Sequence, residues 1–147
     1  MRNDWKSQKT GAVESENVLP GAMWQIRWRD YKGEENSLKR LIIVPAYNEE
    51  ANIERTVEDI LEKSKQFDYI VINDCSTDHT KEICEKNHYN IINLPINLGI
   101  GGAVQTGYQY ASEHGYDMAV QVDGDGQHDP EFLSTMAEYL IEHRVDM

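Results

Sequence analysis

The chain has 147 residues, a net charge of −12 and an apolar fraction of 39%, as expected for one soluble globular domain with its own core. It has no apolar run close to the roughly 20 residues that cross a bilayer, and no signal-peptide core, so we expect a cytoplasmic protein. Cys75 and Cys84 are the two cysteines and do not form a C-x-x-C pair, which argues against a metal or redox role for them.

Charge is distributed unevenly along the chain. Residues 1–38 hold six basic and six acidic side chains, so residues 39–147 hold the other eight basic and twenty acidic side chains and the whole net charge. Such a surface repels nucleic acid, which argues against nonspecific DNA or RNA binding. It would also repel a nucleotide diphosphate unless a bound divalent cation supplied positive charge.

The predicted elements begin after a polar N-terminal stretch. Residues 1–38 show no sustained period, so we interpret them as a poorly structured leader or extension, with a short ordered piece around 23–28. From residue 39 onward, strand and helix patterns alternate, which predicts an α/β fold with an open, mostly parallel sheet and flanking helices. The predicted strands are 41–44, 69–73, 90–94 and 118–122, and the predicted helices are 53–61, 77–86, 101–114 and 130–143.

Capping residues mark the first two helix starts. Asn48 and the acidic residues after it are expected to cap the first helix and to place favourable charge there. Ser76 or Thr77 is the expected cap of the second helix. For Asp78, a capping or turn role and a role in ligand binding both stay open.

Polar segments follow three of the predicted strands, at 45–50, 74–78 and 123–129. In open parallel sheets, ligands bind beyond the carboxyl ends of the strands. We therefore expect these three segments to meet at one edge and to form the binding site. The glycine-rich segment 97–102 also resembles a dinucleotide-binding loop, but it follows the third strand rather than the first, which disfavours that interpretation.

The turn after the fourth predicted strand carries the most informative pattern. Glycines at alternate positions let the chain fold back and bring Asp123, Asp125 and Gln127 onto one point. Oxygen ligands of this kind suit Mg²⁺ or Mn²⁺ and leave coordination positions for phosphate oxygens. A solvated acidic loop is the alternative.

The end of the chain resembles the opening of a fifth strand at 145–147, so we interpret the domain as truncated after the fourth helix. A missing sheet neighbour is expected to leave an exposed apolar strand edge, which would favour self-association.

Four ordered motifs carry a family resemblance, and together they span about two-thirds of the chain. They are Val44-Pro-Ala-Tyr-Asn-Glu-Glu50, Asn73-Asp-Cys-Ser-Thr-Asp78, Asn97-Leu-Gly-Ile-Gly-Gly-Ala-Val-Gln-Thr-Gly107 and Asp123-Gly-Asp-Gly-Gln-His-Asp-Pro130. In this order they resemble the inverting family 2 glycosyltransferases of the GT-A fold, a nucleotide-diphospho-sugar transferase-like fold. The polyprenyl-phosphate and dolichyl-phosphate glycosyltransferases are the most similar branch, and the resemblance covers only the N-terminal, donor-binding part of their catalytic domain.

The resemblance implies a metal-dependent inverting hexosyltransferase with Mg²⁺ or Mn²⁺ as cofactor. Its donor would be a UDP- or GDP-sugar, and its acceptor a lipid phosphate such as polyprenyl phosphate, or a saccharide. Catalytic residues, and any membrane association at the cytoplasmic face, would then lie beyond Met147. A non-catalytic nucleotide-sugar-binding fragment and a sugar nucleotidyltransferase remain the alternatives.

The resemblance also implies roles for single residues. Asp74 matches the acidic residue that reads the nucleobase, whereas Asp125 and Gln127 match direct metal ligands, with Asp123 bridging toward ribose or metal. Cys75 replaces a commoner glycine, at a cost of ~1 kcal/mol or more if the backbone there needs a positive φ. The implied nucleotide-sugar-binding residues are Pro45, Tyr47, Glu49, Asp74, Gly101, Asp123 and Asp125.

Overall fold

The computed structural model describes residues 24–26, 38–124 and 130–142. Every helix and strand predicted between residues 39 and 143 is present, with ends within three residues of those predicted, whereas the strand opening predicted at 145–147 lies outside the described residues. The elements are β1 (Trp24–Ile26), β2 (Arg40–Ala46), α1 (Ile53–Lys63), β3 (Asp68–Asn73), α2 (Thr80–Lys86), β4 (Ile91–Asn93), α3 (Gly99–Glu113), β5 (Met118–Gln121) and α4 (Pro130–Glu142).

The five strands form one sheet in the order β1-β5-β2-β3-β4. The strands β5, β2, β3 and β4 run parallel, which confirms the predicted α/β class. The chain moves outward from β2 through β3 to β4 and then returns to place β5 on the other side of β2. The strand order therefore reverses at β2, and open α/β sheets bind ligands beyond the carboxyl ends of the strands near such a reversal.

The strand β1 occupies the outer side of β5 as an antiparallel partner, with Gln25 opposite Ala119. The open strand edge expected from a missing neighbour is therefore not found at β5. The outer backbone groups of β5 pair with β1, which lies within the segment 1–38 that we interpreted as a leader or extension. The sequence missed this pairing because three residues carry no readable period and an antiparallel edge contact depends on tertiary structure.

The core lies on both faces of the sheet, because β2 is buried along its whole length. Ile42 and Val44 face the side covered by α1, α2 and α4, whereas Leu41 and Ile43 face α3. Alternate side chains of a strand point to opposite faces, so a strand covered on both faces must be apolar throughout. The helices hold the carboxyl ends of β2, β3 and β5 at one rim.

The start of α1 differs from the prediction. The N–H groups of Asn52 and Ile53 donate to the backbone oxygen of Glu49, at 2.9 and 2.8 Å. Asn48 does not cap this helix; its Oδ1 accepts from the N–H of Thr77 at 2.8 Å. The predicted cap is wrong because a neighbouring loop offers this side chain donors that local sequence cannot reveal.

The start of α2 also differs from the prediction. This helix begins at Thr80, and Asp78 Oδ1 accepts from the N–H of Thr80 at 2.9 Å and from its hydroxyl at 2.6 Å. Ser76 instead accepts from the N–H of Asn48 through its hydroxyl oxygen, at 3.0 Å. The N-cap residue is His79, whose side chain makes no capping hydrogen bond, so the cap expected at Ser76 or Thr77 is wrong. Asp78, through its bonds with Thr80, takes the capping or turn role that was one of its two open alternatives.

Candidate active site at the carboxyl edge of the sheet

A cavity of about 360 Å³ opens at the carboxyl ends of β2 and β3. The end of β2, the end of β3 and the start of α3 each contribute part of its wall. Its lining residues are Pro45, Ala46, Tyr47, Glu49, Asp74, Asn97, Gly99, Ile100 and Ala103. Four predicted binding residues, Pro45, Tyr47, Glu49 and Asp74, are thus brought together.

The end of β2 supplies one wall. The strand pairs with β5 only as far as Ile43, so Pro45, which has no N–H, lies beyond the last paired residue on that side. Tyr47 follows with 48% of its surface exposed, so it is not a packed core aromatic. An aromatic face at the mouth of a cavity can stack on a planar ligand.

Asp74 forms the floor and joins three elements. Its N–H donates to the backbone oxygen of Ala46 at 2.9 Å, and its Oδ1 accepts from the N–H of Leu98 at 2.7 Å. The residue is 2% exposed, yet it lines the cavity. Among the described residues, nothing donates to its second oxygen, so that oxygen is available to a ligand.

Cys75 follows Asp74 at a position where the similar proteins more commonly have glycine. It adopts a backbone conformation that glycine tolerates better than cysteine. Cys75 has a φ of +59°, in the left-handed region. Its thiol lies 3.8 Å from the backbone oxygen of Pro95 and makes only a weak contact. The condition stated for this turn, a positive φ at Cys75, is therefore met.

The start of α3 supplies residues that were not singled out from the sequence. Asn97 Oδ1 accepts from the N–H of Gly99 at 2.9 Å, and both residues line the cavity with Ala103. The glycine-rich run indicated that this segment approaches the ligand. Which of its residues line the cavity depends on the hydrogen bond between Asp74 and Leu98. The predicted Gly101 lies in the first helical turn, is exposed and is not part of the lining.

The chain after β5 approaches the same rim. The carbonyl oxygen of Gly124 accepts from the Thr56 hydroxyl at 3.2 Å. A Cβ on Gly124 would lie 3.3 Å from the Pro45 oxygen and 3.5 Å from Glu49 Cγ, so this turn packs against the first loop. Asp123 is thereby held beside the cavity wall, and its Oδ1 accepts from the amide of Gln121 at 2.9 Å.

The predicted metal site can be tested only in part. Asp125 and Gln127 lie outside the described residues. Within residues 24–26, 38–124 and 130–142, no three His, Cys, Asp or Glu side chains form a group that could hold a metal ion. Asp123 lies within the described residues and supplies a carboxylate, the type of oxygen donor that hard cations prefer.

A charged contact ties the loop after β2 to the loop after β3. Glu50 Oε2 accepts from the backbone N–H of His79 at 3.0 Å and lies 2.8 Å from its Nδ1. The hydrogen bond with Glu50 raises the pKa of His79, and the bond from the His79 backbone lowers the pKa of Glu50. Both side chains are exposed, so this contact orders the rim without burying charge.

Comparisons with known proteins agree with this α/β architecture. The family model described as Glycosyl transferase family 2 matches residues 41–147, and the chain belongs to that family. It is 30% identical over 106 residues to the undecaprenyl-phosphate mannosyltransferase of Micrococcus luteus. That match covers 69% of this chain and 44% of the relative, so the chain spans about half the length of this curated protein.

Solved structures show the same fold. The S. aureus TarS fragment 1–349 in complex with UDP is 28% identical, with a TM-score of 0.62, over 73% of this chain and 33% of that chain. The mannosyltransferase PcManGT from Pyrobaculum calidifontis, solved with GDP-Man and Mn²⁺, is 21% identical, with a TM-score of 0.56, over 72% and 33% of the two chains. The predicted GT-A fold is thereby confirmed.

No helix in the described part of the chain combines the length and the apolar character needed to cross a bilayer.

Proposed function

We propose that this chain forms the donor-binding part of a metal-dependent inverting glycosyltransferase. The enzyme would move a hexose from a UDP- or GDP-sugar to a lipid phosphate such as polyprenyl phosphate, or to a saccharide. The observation that carries this proposal is the convergence of the ends of β2 and β3 and the start of α3 on one cavity, with the Asp123 turn beside it. The named activity of the Micrococcus luteus relative supports the lipid-phosphate acceptor.

Different residues of the chain contact different parts of the sugar-nucleotide donor. Tyr47 stacks on the base or ribose at the cavity mouth, and Glu49 accepts from ribose hydroxyls. Asp74 accepts from a ring N–H of the base through its second oxygen. Each of these side chains lines the cavity, so one nucleoside can reach all three.

The turn after β5 would bind the diphosphate of the donor. Asp123, Asp125 and Gln127 would hold Mg²⁺ or Mn²⁺ there. When bound, such a cation supplies the positive charge that an acidic chain lacks and stabilises the departing diphosphate. The P. calidifontis neighbour, which was solved with GDP-Man and Mn²⁺, supports a divalent cation at this position.

The substitution Asp74→Asn tests whether this residue contacts the base and not the diphosphate of the donor. It removes a charged hydrogen bond worth about 1.5–3 kcal/mol, so we expect affinity for UDP or GDP to fall by about 10–100-fold. Affinity for pyrophosphate should be unchanged, because that ligand has no base. Calorimetric titration in Mn²⁺ measures both.

The half-buried helix residue Asp59 offers a matched control, because Asp59→Asn makes the same charge change away from the cavity. It should leave both affinities unchanged. Equal losses of nucleotide and pyrophosphate in Asp74→Asn would contradict the proposed base contact.

A further inference from the structure

One polar side chain interrupts the apolar face of α1. The buried residues of this helix are Ile53, Thr56, Val57 and Ile60. Their spacing is that of an amphipathic helix, in which an apolar residue is expected at position 56 as at the other three. Thr56 is only 4% exposed, so its hydroxyl group needs a hydrogen-bond partner inside the protein.

That partner lies in a distant part of the chain. The Thr56 hydroxyl donates to the carbonyl oxygen of Gly124 at 3.2 Å, across 68 positions of sequence. A threonine inside a helix often bonds instead to the carbonyl oxygen four residues before it. Thr106 does so, with its hydroxyl 2.9 Å from the oxygen of Gly102. Thr56 therefore ties α1 to the turn after β5 and does not serve its own helix.

The bond from Thr56 is one of two side-chain contacts that hold this turn. The other comes from the amide of Gln121, which donates to Asp123 Oδ1 at 2.9 Å and orients the carboxylate. The Gly124 oxygen belongs to the peptide group that follows this residue, so the Thr56 bond limits rotation of the backbone just beyond Asp123. Gly124 is itself buried, and no other described residue donates to its oxygen.

Resting on the proposed function, we infer that Thr56 is a positioning residue for the turn that would bind the metal. Its hydroxyl fixes the backbone of the turn, so that Asp123 is already ordered when the cation and the diphosphate bind. Thr56 is not among the described residues that line the cavity, so it acts through Gly124 and makes no contact with the donor. Removing an outer contact that orients a metal ligand typically lowers metal affinity about 10–100-fold.

The ratio of nucleotide affinity in Mn²⁺ to that in chelator measures the metal-dependent part of binding. Thr56→Val keeps the shape of the side chain and removes the hydroxyl, so we expect this ratio to fall about tenfold, with affinity in chelator unchanged. Calorimetric titration of the full chain measures both affinities, with whichever of UDP and GDP the unaltered chain binds more tightly. An unchanged ratio in Thr56→Val would overturn the inference.

The variants Thr56→Ser and Thr56→Ala form a second pair that differs only by the hydroxyl. Serine should keep the ratio of the unaltered chain, whereas alanine should lower it about tenfold. Neither residue is β-branched, and alanine favours the helix more than valine does. This pair therefore decides the question even if Thr56→Val does not fold. Equal ratios in the two variants would contradict a role for the hydroxyl.

Thr106→Val is the matched control, because it removes a hydroxyl that bonds within its own helix. It should leave the ratio unchanged, and a fall equal to that of Thr56→Val would overturn the specific role of Thr56. A role confined to stability gives a different pattern. Urea denaturation would then show a lower free energy of unfolding in Thr56→Val while the ratio stayed the same, and the positioning role would be refuted.

The unaltered chain separates failure of this inference from failure of the proposed function. If it bound neither UDP nor GDP more tightly in Mn²⁺ than in chelator, the proposed metal-dependent function would fail and the inference with it. If the unaltered chain showed that dependence and the hydroxyl variants kept it in full, only the role of Thr56 would be lost.

Discussion

At the scale of single residues, Cys75 holds a left-handed backbone conformation that glycine adopts at no steric cost. We expect Cys75→Gly to raise the free energy of unfolding by about 0.5–1 kcal/mol, because relief of the φ strain exceeds the extra freedom that glycine gives the unfolded chain. Urea denaturation measures the change.

Cys75→Ala is the matched control, since it removes the thiol but keeps the Cβ. It should leave the free energy of unfolding nearly unchanged. If alanine stabilised the protein as much as glycine, the thiol rather than the backbone would be the source of the cost.

His79 and Glu50 give a second prediction at this scale. The pKa of His79 is raised above 6.5, so the stabilising contact is complete below pH 6.5 and is lost as pH rises through the raised value. The pKa of Glu50 is lowered below 4.5, so its contribution is complete above pH 4.5 and is lost as pH falls through the lowered value. The contact should therefore be strongest between these two limits.

An NMR titration of the histidine ring protons measures the His79 pKa directly. Glu50→Gln should bring it down toward 6.5, because the carboxylate that favours the charged ring is gone. Glu85→Gln, which alters an exposed acid paired with Lys81 on α2, should leave it unchanged. An unchanged His79 pKa in Glu50→Gln would refute the coupling.

At the scale of elements, α3 lies close to β2 because Gly107 has no side chain. A Cβ at this position would overlap with Cγ2 of Ile43 on the central strand. We expect Gly107→Ala to lower the free energy of unfolding by about 1–3 kcal/mol, since an overpacked core must shift. Thermal or urea denaturation measures the loss.

Gly101 provides the control within the same helix. A Cβ there meets no atom within 4 Å, so Gly101→Ala should gain about 0.5–1 kcal/mol from helix propensity alone. Stabilisation by both alanines would contradict the close packing of α3 on β2.

The elements themselves could be predicted because their apolar periods are local. The run from Leu41 to Val44 belongs to a strand buried on both faces, and such a strand has a distinctive continuous pattern. Helix caps were predicted less well. Asn48 accepts from Thr77 in a loop far away in sequence, a contact that the local sequence does not reveal, whereas Asp78 accepts from Thr80, two residues further on.

At the scale of the whole molecule, the rule that ligands bind at strand carboxyl ends located the cavity. It brought Pro45, Tyr47, Glu49 and Asp74 together correctly. It could not find Asn97, because the path of that loop depends on a hydrogen bond between Asp74 and Leu98. Asp125 and Gln127 stay predictions, because they lie outside the described residues.

We expect a divalent cation to couple this acidic chain to a nucleoside diphosphate. Asp123 stands beside the cavity wall, and the chain carries a net charge of −12, so a diphosphate should bind poorly without added positive charge. The cation and the nucleotide should therefore bind cooperatively.

Calorimetric titration with UDP and with GDP, in Mn²⁺ and in chelator at matched ionic strength, measures this coupling. For whichever of UDP and GDP binds more tightly, we predict an affinity about tenfold or more lower in chelator than in Mn²⁺. Asp125→Ala should remove most of this difference between the two conditions. Tight nucleotide binding in chelator that Asp125→Ala leaves unchanged would contradict the account.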